Sequence, residues 1–393
     1  MVGIKKVKAR KIKDSRGRLT VEVELTADSG RFFASVPSGT STGKFEAKVK
    51  EAKAAVRNIN KIIGPKIIGR DVVYQKEIDD LLIKLDGTKN KSGLGANAIL
   101  AVSIAFLRAG AKVQGLPLWK WISRIAGARP KLPYPSLLQV EGGLHGEKGG
   151  TDVQEFMTVL QDRSFGENLR QGFKIYNALR TILLRKYGQK AVDLGLEGAF
   201  IPSIKNAEEI LYLIMAAAKK VGLQKKVKII LDVAASHDYP RKTAAYYLDL
   251  LEHYPVLGLE DSFPENDWRR WRLLMSKVKS RKLKTMIIGD DLTVTNVGRI
   301  REAGRKKACN AVIIKPNQIG TVSETVAAAK LAKSFGWQII VSHRSGETMD
   351  DFIADLAVGL GADFIKSGAL SRPERVAKYN RLLKIEKELR AMK

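Results

Sequence analysis

Six short apolar runs between Lys228 and Gly368 each end on an ionisable residue, and this repeat restricts the chain to very few folds. VKIILD ends at Asp232, VLGLE at Glu260, TMIIGD at Asp290, AVIIK at Lys315, QIIVSH at His343 and ADFIK at Lys366. Successive ends lie 28, 30, 25, 28 and 23 residues apart. Each interval has room for a loop, a helix and the next strand. Runs of Val and Ile this short read as strands buried on both faces. Helical patterns lie between them, such as Ser323–Phe335, which Gly336 stops. Strand–helix repeats at this period imply a parallel sheet. Closed into a (β/α)8-type barrel, the sheet would bring every strand's C-terminal end to one mouth. Three carboxylates, two lysines and a histidine would converge there. Left unpaired in apolar surroundings such charges are expensive, so the set reads as a functional site rather than as structure.

The chemistry of that mouth follows from the residue types. Asp232, Glu260 and Asp290 offer hard oxygen ligands, which suit Mg²⁺ better than a softer metal. Lys315 and Lys366 follow on the next strands. A lysine beside a divalent cation and a second lysine has its charged form disfavoured, so its pKa should fall. That makes it a general base. Such a base facing a metal-bound carboxylate is arranged to remove the neighbouring proton, and the metal stabilises the charge that develops.

Longer stretches carry a resemblance. LDVAAS, LEDSFPENDW, IIGDDLTVTN, IIKPNQIGT, VSHRSGET and IKSGALSRPERVAKYN, together with DSRG, VPSGTSTG, NKSGLGANAILAVS, QEFM and GLEGAFIP upstream, resemble the signature segments of the enolase family in order. The likeness covers nearly the whole chain. It implies a first Mg²⁺ at Asp232, Glu260 and Asp290, and Lys315 as the base for carbon 2 of 2-phosphoglycerate. It implies that Glu197 helps the carbon 3 hydroxyl leave, with Glu155 beside it, and that Lys366 binds the substrate carboxylate. Arg344 and Ser345 would hold the phosphate, and His343, His145 and Gln154 would line the site. Ser41, in a Gly-rich loop, would close over the site and ligate a second Mg²⁺. The implied architecture is an α+β capping domain over residues 1–130 and a β/α barrel over 131–393. A homodimer or larger assembly is implied as well.

The sequence departs from that family in places that surround the site. After Ser236 the family has roughly twenty more residues, in a loop that closes over the site. The loop holding His145 has one extra residue before Glu155, and the segment after Glu46 is shortened and lacks an acidic and arginine pair. Glu141 stands where the family has Asn, Leu196 where it has Asp, and His237 where it has an acidic residue.

Along the chain, VEVELT alternates and the Asp28-Ser29-Gly30 turn leads into RFFASV, an antiparallel sheet. Residues 44–114 read as helices with apolar stripes. Pro130, Pro133 and Pro135 punctuate the entry to the barrel. His237 and His253 show no partner pattern and read as structural or surface residues. Cys309 is the only cysteine, which excludes an internal disulfide, and it reads as buried. No apolar signal core opens the chain, and the apolar helix near Ala96–Leu107 reads as too short to cross a bilayer. A cytoplasmic location without membrane attachment follows.

Charge is the unusual property. Lys and Arg number 69 against 41 Asp and Glu, a net +28. Heat adaptation raises Lys and Glu together, whereas here only the basic side is raised. The runs Arg269–Lys284 and Arg299–Lys307 should merge into one basic outer face of the barrel, and Lys5–Lys13 adds six cations elsewhere. Two readings result. One is a Mg²⁺-dependent lyase of glycolysis that dehydrates a small phosphorylated acid. The other is an enolase-like protein, weak or absent in catalysis, that binds RNA, DNA or the ribosome through the basic face.

Overall fold

The structure is a computed structural model that describes residues 2–40, 43–143, 151–237 and 242–391. Strands β1 (Ile4–Lys13), β2 (Leu19–Ala27) and β3 (Gly30–Ser35) form an antiparallel sheet in that order. Alternation in β2 puts Val21, Val23 and Leu25 out of contact with water, against the helix Ala96–Val113. This helix falls within the helical stretch read from the sequence up to residue 114, and its apolar part extends past Leu107. It runs 18 residues, and its length and hydropathy would permit a membrane crossing, but 83% of it is buried inside the fold. Arg108, expected to follow it, lies within it and donates two hydrogen bonds of 2.8 Å to the Asp350 carboxylate.

Eight strands then close into a barrel: β4 (Tyr134–Glu141), β5 (Glu155–Val159), β6 (Lys228–Asp232), β7 (Val256–Glu260), β8 (Met286–Gly289), β9 (Ala311–Ile314), β10 (Gln338–Ser342) and β11 (Phe364–Lys366). The six runs read from the sequence are β6 to β11, and β7 to β11 each run parallel to the strand before. The sheet is not parallel throughout. β5 runs antiparallel to both β4 and β6. Because β5 is reversed, its first residue lies at the mouth, and Glu155 aligns with Glu141 on one side and Asp232 on the other.

Helices outside the barrel are fixed by local chemistry. Asn296 Oδ1 accepts the backbone N–H groups of Gly298 and Arg299 and starts the helix Val297–Lys306. Thr321 caps Val322–Ser334, accepting from Glu324 N–H while its hydroxyl donates to the Glu324 carboxylate. Trp271 is fully buried, whereas Trp268 is half-buried beneath the Arg299 guanidinium, 4.7 Å from its ring centre. Cys309 is buried, which pushes its thiol pKa up and makes it inert at neutral pH.

Candidate active site

The barrel mouth holds a small polar cavity. Its wall includes Gln154, Glu155, Glu197, Asp232, Asp290, Lys315, His343, Arg344, Ser345 and Lys366. Glu260 lies just beneath, 1% exposed and bonded to Lys366. The structure therefore brings together all the anticipated residues that it describes. Ser41 and His145 lie outside the described residues.

Two ammonium groups organise the acids. Lys366 Nζ lies 2.8 Å from Asp232 Oδ2, 2.9 Å from Glu260 Oε2 and 2.9 Å from Glu155 Oε2. These partners outweigh the cost of burial and push the Lys366 pKa well up. Lys315 Nζ donates to Asp290 Oδ2, while Gln318 Nε2 donates to Asp290 Oδ1 at 2.8 Å. Burial is the largest single influence on Lys315 and lowers its pKa, but the surrounding carboxylates, Asp290 first and then Glu260, together bring it above the ordinary value. The carboxylates offset the neighbouring cations Arg344 and Lys366. Glu260 is held well above the ordinary carboxylate range by burial and by Asp232. Crowded carboxylates that depend on two lysines for compensation, with oxygen as the only donor, fit a hard cation such as Mg²⁺.

A second acidic group adjoins them. Buried Asp261, Asp290 and Asp291 bring carboxylate oxygens within 4.8 Å of one another, sharing only Asp290 with the anticipated triad. Asp261 is already committed: its oxygens accept Asp290 N–H at 3.0 Å and Asp291 N–H at 2.8 Å. It braces the β8 loop. Asp291 pairs with His237 Nε2 at 2.8 Å, and this bond raises the His237 pKa despite burial. His237, read from sequence as structural or surface, thus belongs to the cavity wall. Four non-glycine residues around this cluster (Ala234, Asp261, Val294 and Thr295) have φ between 42° and 54°. Such left-handed backbone is costly and collects where a site must be shaped.

At the opposite wall, Arg344 donates to Glu46 Oε2 at 2.9 Å, both groups being buried. Ser345 Oγ accepts Thr40 N–H at 2.9 Å, which ties the N-terminal loop to the barrel. Arg375 donates to His343 Nδ1 at 2.7 Å, so Nε2 carries the ring hydrogen and points to Glu197 Oε2 at 3.1 Å. Burial holds the His343 pKa at about 4, leaving the ring neutral. Glu46 and Arg375 were missed in sequence because their partners lie 298 and 32 residues away.

Comparison with known proteins agrees with this geometry. The pattern described as "Enolase, N-terminal domain" matches residues 4–122, and "Enolase, C-terminal TIM barrel domain" matches 129–250 and 240–393. The chain is similar to "Enolase" of Mastigamoeba balamuthi, with 44% identity covering 100% of this chain and 97% of the relative. It is also similar to "Enolase" of Eimeria tenella, at 43% identity over 99% of this chain and 96% of the relative. Both domain patterns and full-length identity agree: the chain belongs to the enolase family of lyases.

Proposed function

We propose that this chain dehydrates 2-phosphoglycerate to phosphoenolpyruvate and water, with Lys315 as base and Glu197 as acid. The observation that carries the assignment is the single cavity onto which both residues open, together with Lys366, Arg344 and Ser345. Lys315 Nζ takes the proton from carbon 2. The electron pair left behind forms the carbon 2–carbon 3 double bond as the carbon 3–oxygen bond breaks. Glu197 gives its proton to the departing hydroxyl, which leaves as water. Lys366 holds the substrate carboxylate, and Arg344 and Ser345 hold the phosphate. Glu155 keeps Lys366 in place, and Gln154 and His343 complete the lining. Enolases generally depend on Mg²⁺. Asp232, Glu260 and Asp290 would hold one ion and Ser41 a second, and His145 would line the site. When bound, Mg²⁺ supplies positive charge that offsets the charge developing on the substrate carboxylate and competes with Lys315 for Asp290.

The two half-steps can be separated by experiment. Glu197→Gln should still exchange the carbon 2 proton with deuterated solvent while losing dehydration by roughly 10²–10⁴-fold. Lys315→Ala should lose both. Exchange surviving in Lys315→Ala would remove that lysine from the role of base. The family setting also supports a homo-oligomer, which light scattering on the purified protein measures.

A second reading concerns partners and rests on one surface. Arg269, Arg272, Lys279, Arg305 and Lys307 line an open groove beside the helices Trp268–Ser280 and Val297–Lys306. Among the described residues none of these five pairs with a carboxylate, although Arg270, Arg281 and Lys306 do. Unpaired guanidinium groups in a concave groove suit the phosphates of single-stranded RNA. Each phosphate contact contributes about 0.7 to the slope of log affinity against log salt, so five give about 3 to 4. A slope near zero, or no binding to generic RNA at low salt, would contradict this reading.

A further inference from the structure

Five cations ring an open basin at the end of the barrel opposite the mouth, where the reaction above has no use for them. Lys131 and Leu132 lie just before β4, Lys333 is near the end of the helix before β10, Gly361 lies just before β11, and Arg163 follows the reversed β5. Arg129 and Arg390 complete the ring. Leu132 and Leu389 supply apolar wall, and Glu386 is the acid among the lining residues.

Compensation in the basin is incomplete. Lys131 Nζ pairs with Asp363 at 2.6 Å, and Arg390 pairs with Glu386 at 2.8 Å. The Glu386 carboxylate also accepts Phe165 N–H at 3.0 Å and Gly166 N–H at 3.3 Å, so a helix N-terminus shares its charge. Among the described residues Arg129, Arg163 and Lys333 form no ion pair with a carboxylate. Lys333 Nζ donates instead to Gly361 O at 3.0 Å and to Leu360 O. Carbonyl oxygens orient an ammonium group but bring no net charge to neutralise it. Burial is the first cause that holds the Lys333 pKa below its ordinary value; Asp363 opposes it and Lys131 reinforces it. The backbone is shaped to bring these groups together. Gly361 has φ +59°, and a Cβ there would lie 3.1 Å from Lys333 Nζ and run into the Arg129 carbonyl oxygen. Glycine at this position lets the Arg129 segment and Lys333 meet.

We propose that this basin binds the triphosphate group of a compact anion, either a nucleoside triphosphate or inorganic tripolyphosphate. Two guanidinium forks offer paired N–H donors to phosphate oxygens, and the Lys333 ammonium acts as a point charge between them and the chain. Three cations without carboxylate partners match a ligand that carries several negative charges. The five basic side chains come from four separate segments and converge on one concavity, which suits a compact ligand. In the groove on the outer barrel face the cations instead belong to two neighbouring helices, an arrangement that suits a strand. Leu132 and Leu389 add apolar surface that a nucleoside would cover.

Calorimetric titration in low-salt, Mg²⁺-free buffer tests the proposal, and its readout does not depend on turnover. Tripolyphosphate and ATP are the two probes, and binding of about one per chain is expected. Arg129→Gln and Arg163→Gln change exposed side chains and should fold as the wild type does by circular dichroism. Each should weaken binding about tenfold, the loss of a charge-assisted contact to phosphate. ATP binding about tenfold tighter than tripolyphosphate would assign the site to nucleotides through the apolar wall, and equal affinity would assign it to the inorganic chain. Arg272→Gln in the outer groove and Lys315→Ala at the mouth should bind both probes as the wild type does. Loss of binding in either of these would place the anion in the groove or at the mouth and overturn the proposal. It is overturned equally if neither probe binds, or if both bind Arg129→Gln and Arg163→Gln undiminished. Should one of those two variants fail to fold, the other decides alone.

Discussion

Individual side chains at the mouth act through partners distant in sequence. Arg344, adjacent to His343, was legible because it follows an apolar strand in a recognisable segment. Its counter-charge Glu46 was not, because nothing in a linear pattern couples positions 298 residues apart. The pair is buried, so breaking it leaves an uncompensated charge rather than merely removing a contact. Glu46→Gln should lower unfolding free energy by about 3 kcal/mol in urea denaturation. Glu46→Gln with Arg344→Met should cost less than the sum of the two single changes, since neither charge is then stranded. Strict additivity would show that the two residues do not depend on each other. His237 illustrates the same limit on sequence reading. Its importance comes from Asp291, which lies beyond the next two strands.

At the scale of elements, the strand ends were the readable part. A short Val/Ile run bounded by one ionisable residue specifies both a buried strand and its exit point, and β6 to β11 fall where those runs are. Strand direction was not readable in the same way. A fully buried strand has no alternation to orient it, so the reversal of β5 emerged only from its pairing with β4 and β6. Arg108 on the long helix, β3 and the loop after β10 are joined through one carboxylate. Asp350 takes two hydrogen bonds from Arg108, one from Ser35 N–H and one from Phe352 N–H. Burial raises the Asp350 pKa, but Arg108 and the N–H donors bring it below the ordinary value. A depressed folded pKa gives stability that is present above the unfolded value and is lost as pH falls through the folded one. From about pH 4 downward, wild-type stability should therefore fall more steeply than that of Asp350→Asn. Equal slopes in acid denaturation would show that this junction does not sense pH.

Across the whole molecule, chemistry and charge occupy different surfaces. The groups proposed for catalysis face the barrel mouth, whereas five Arg and Lys side chains that have no carboxylate partner among the described residues line a groove beside outer helices. Net charge of +28 was evident in composition, but which cations lack carboxylate partners depended on the packing of those helices. Since the two surfaces are separate, charge reversal in the groove should leave turnover intact. The most direct test of the assignment is turnover itself. Purified protein with 2-phosphoglycerate and Mg²⁺ should form phosphoenolpyruvate, followed by its ultraviolet absorbance. Lys315→Ala should fold as the wild type does by circular dichroism, yet lose activity by roughly 10²–10⁴-fold. Undiminished turnover in that variant, or silence from a folded wild type that binds Mg²⁺, would contradict the account.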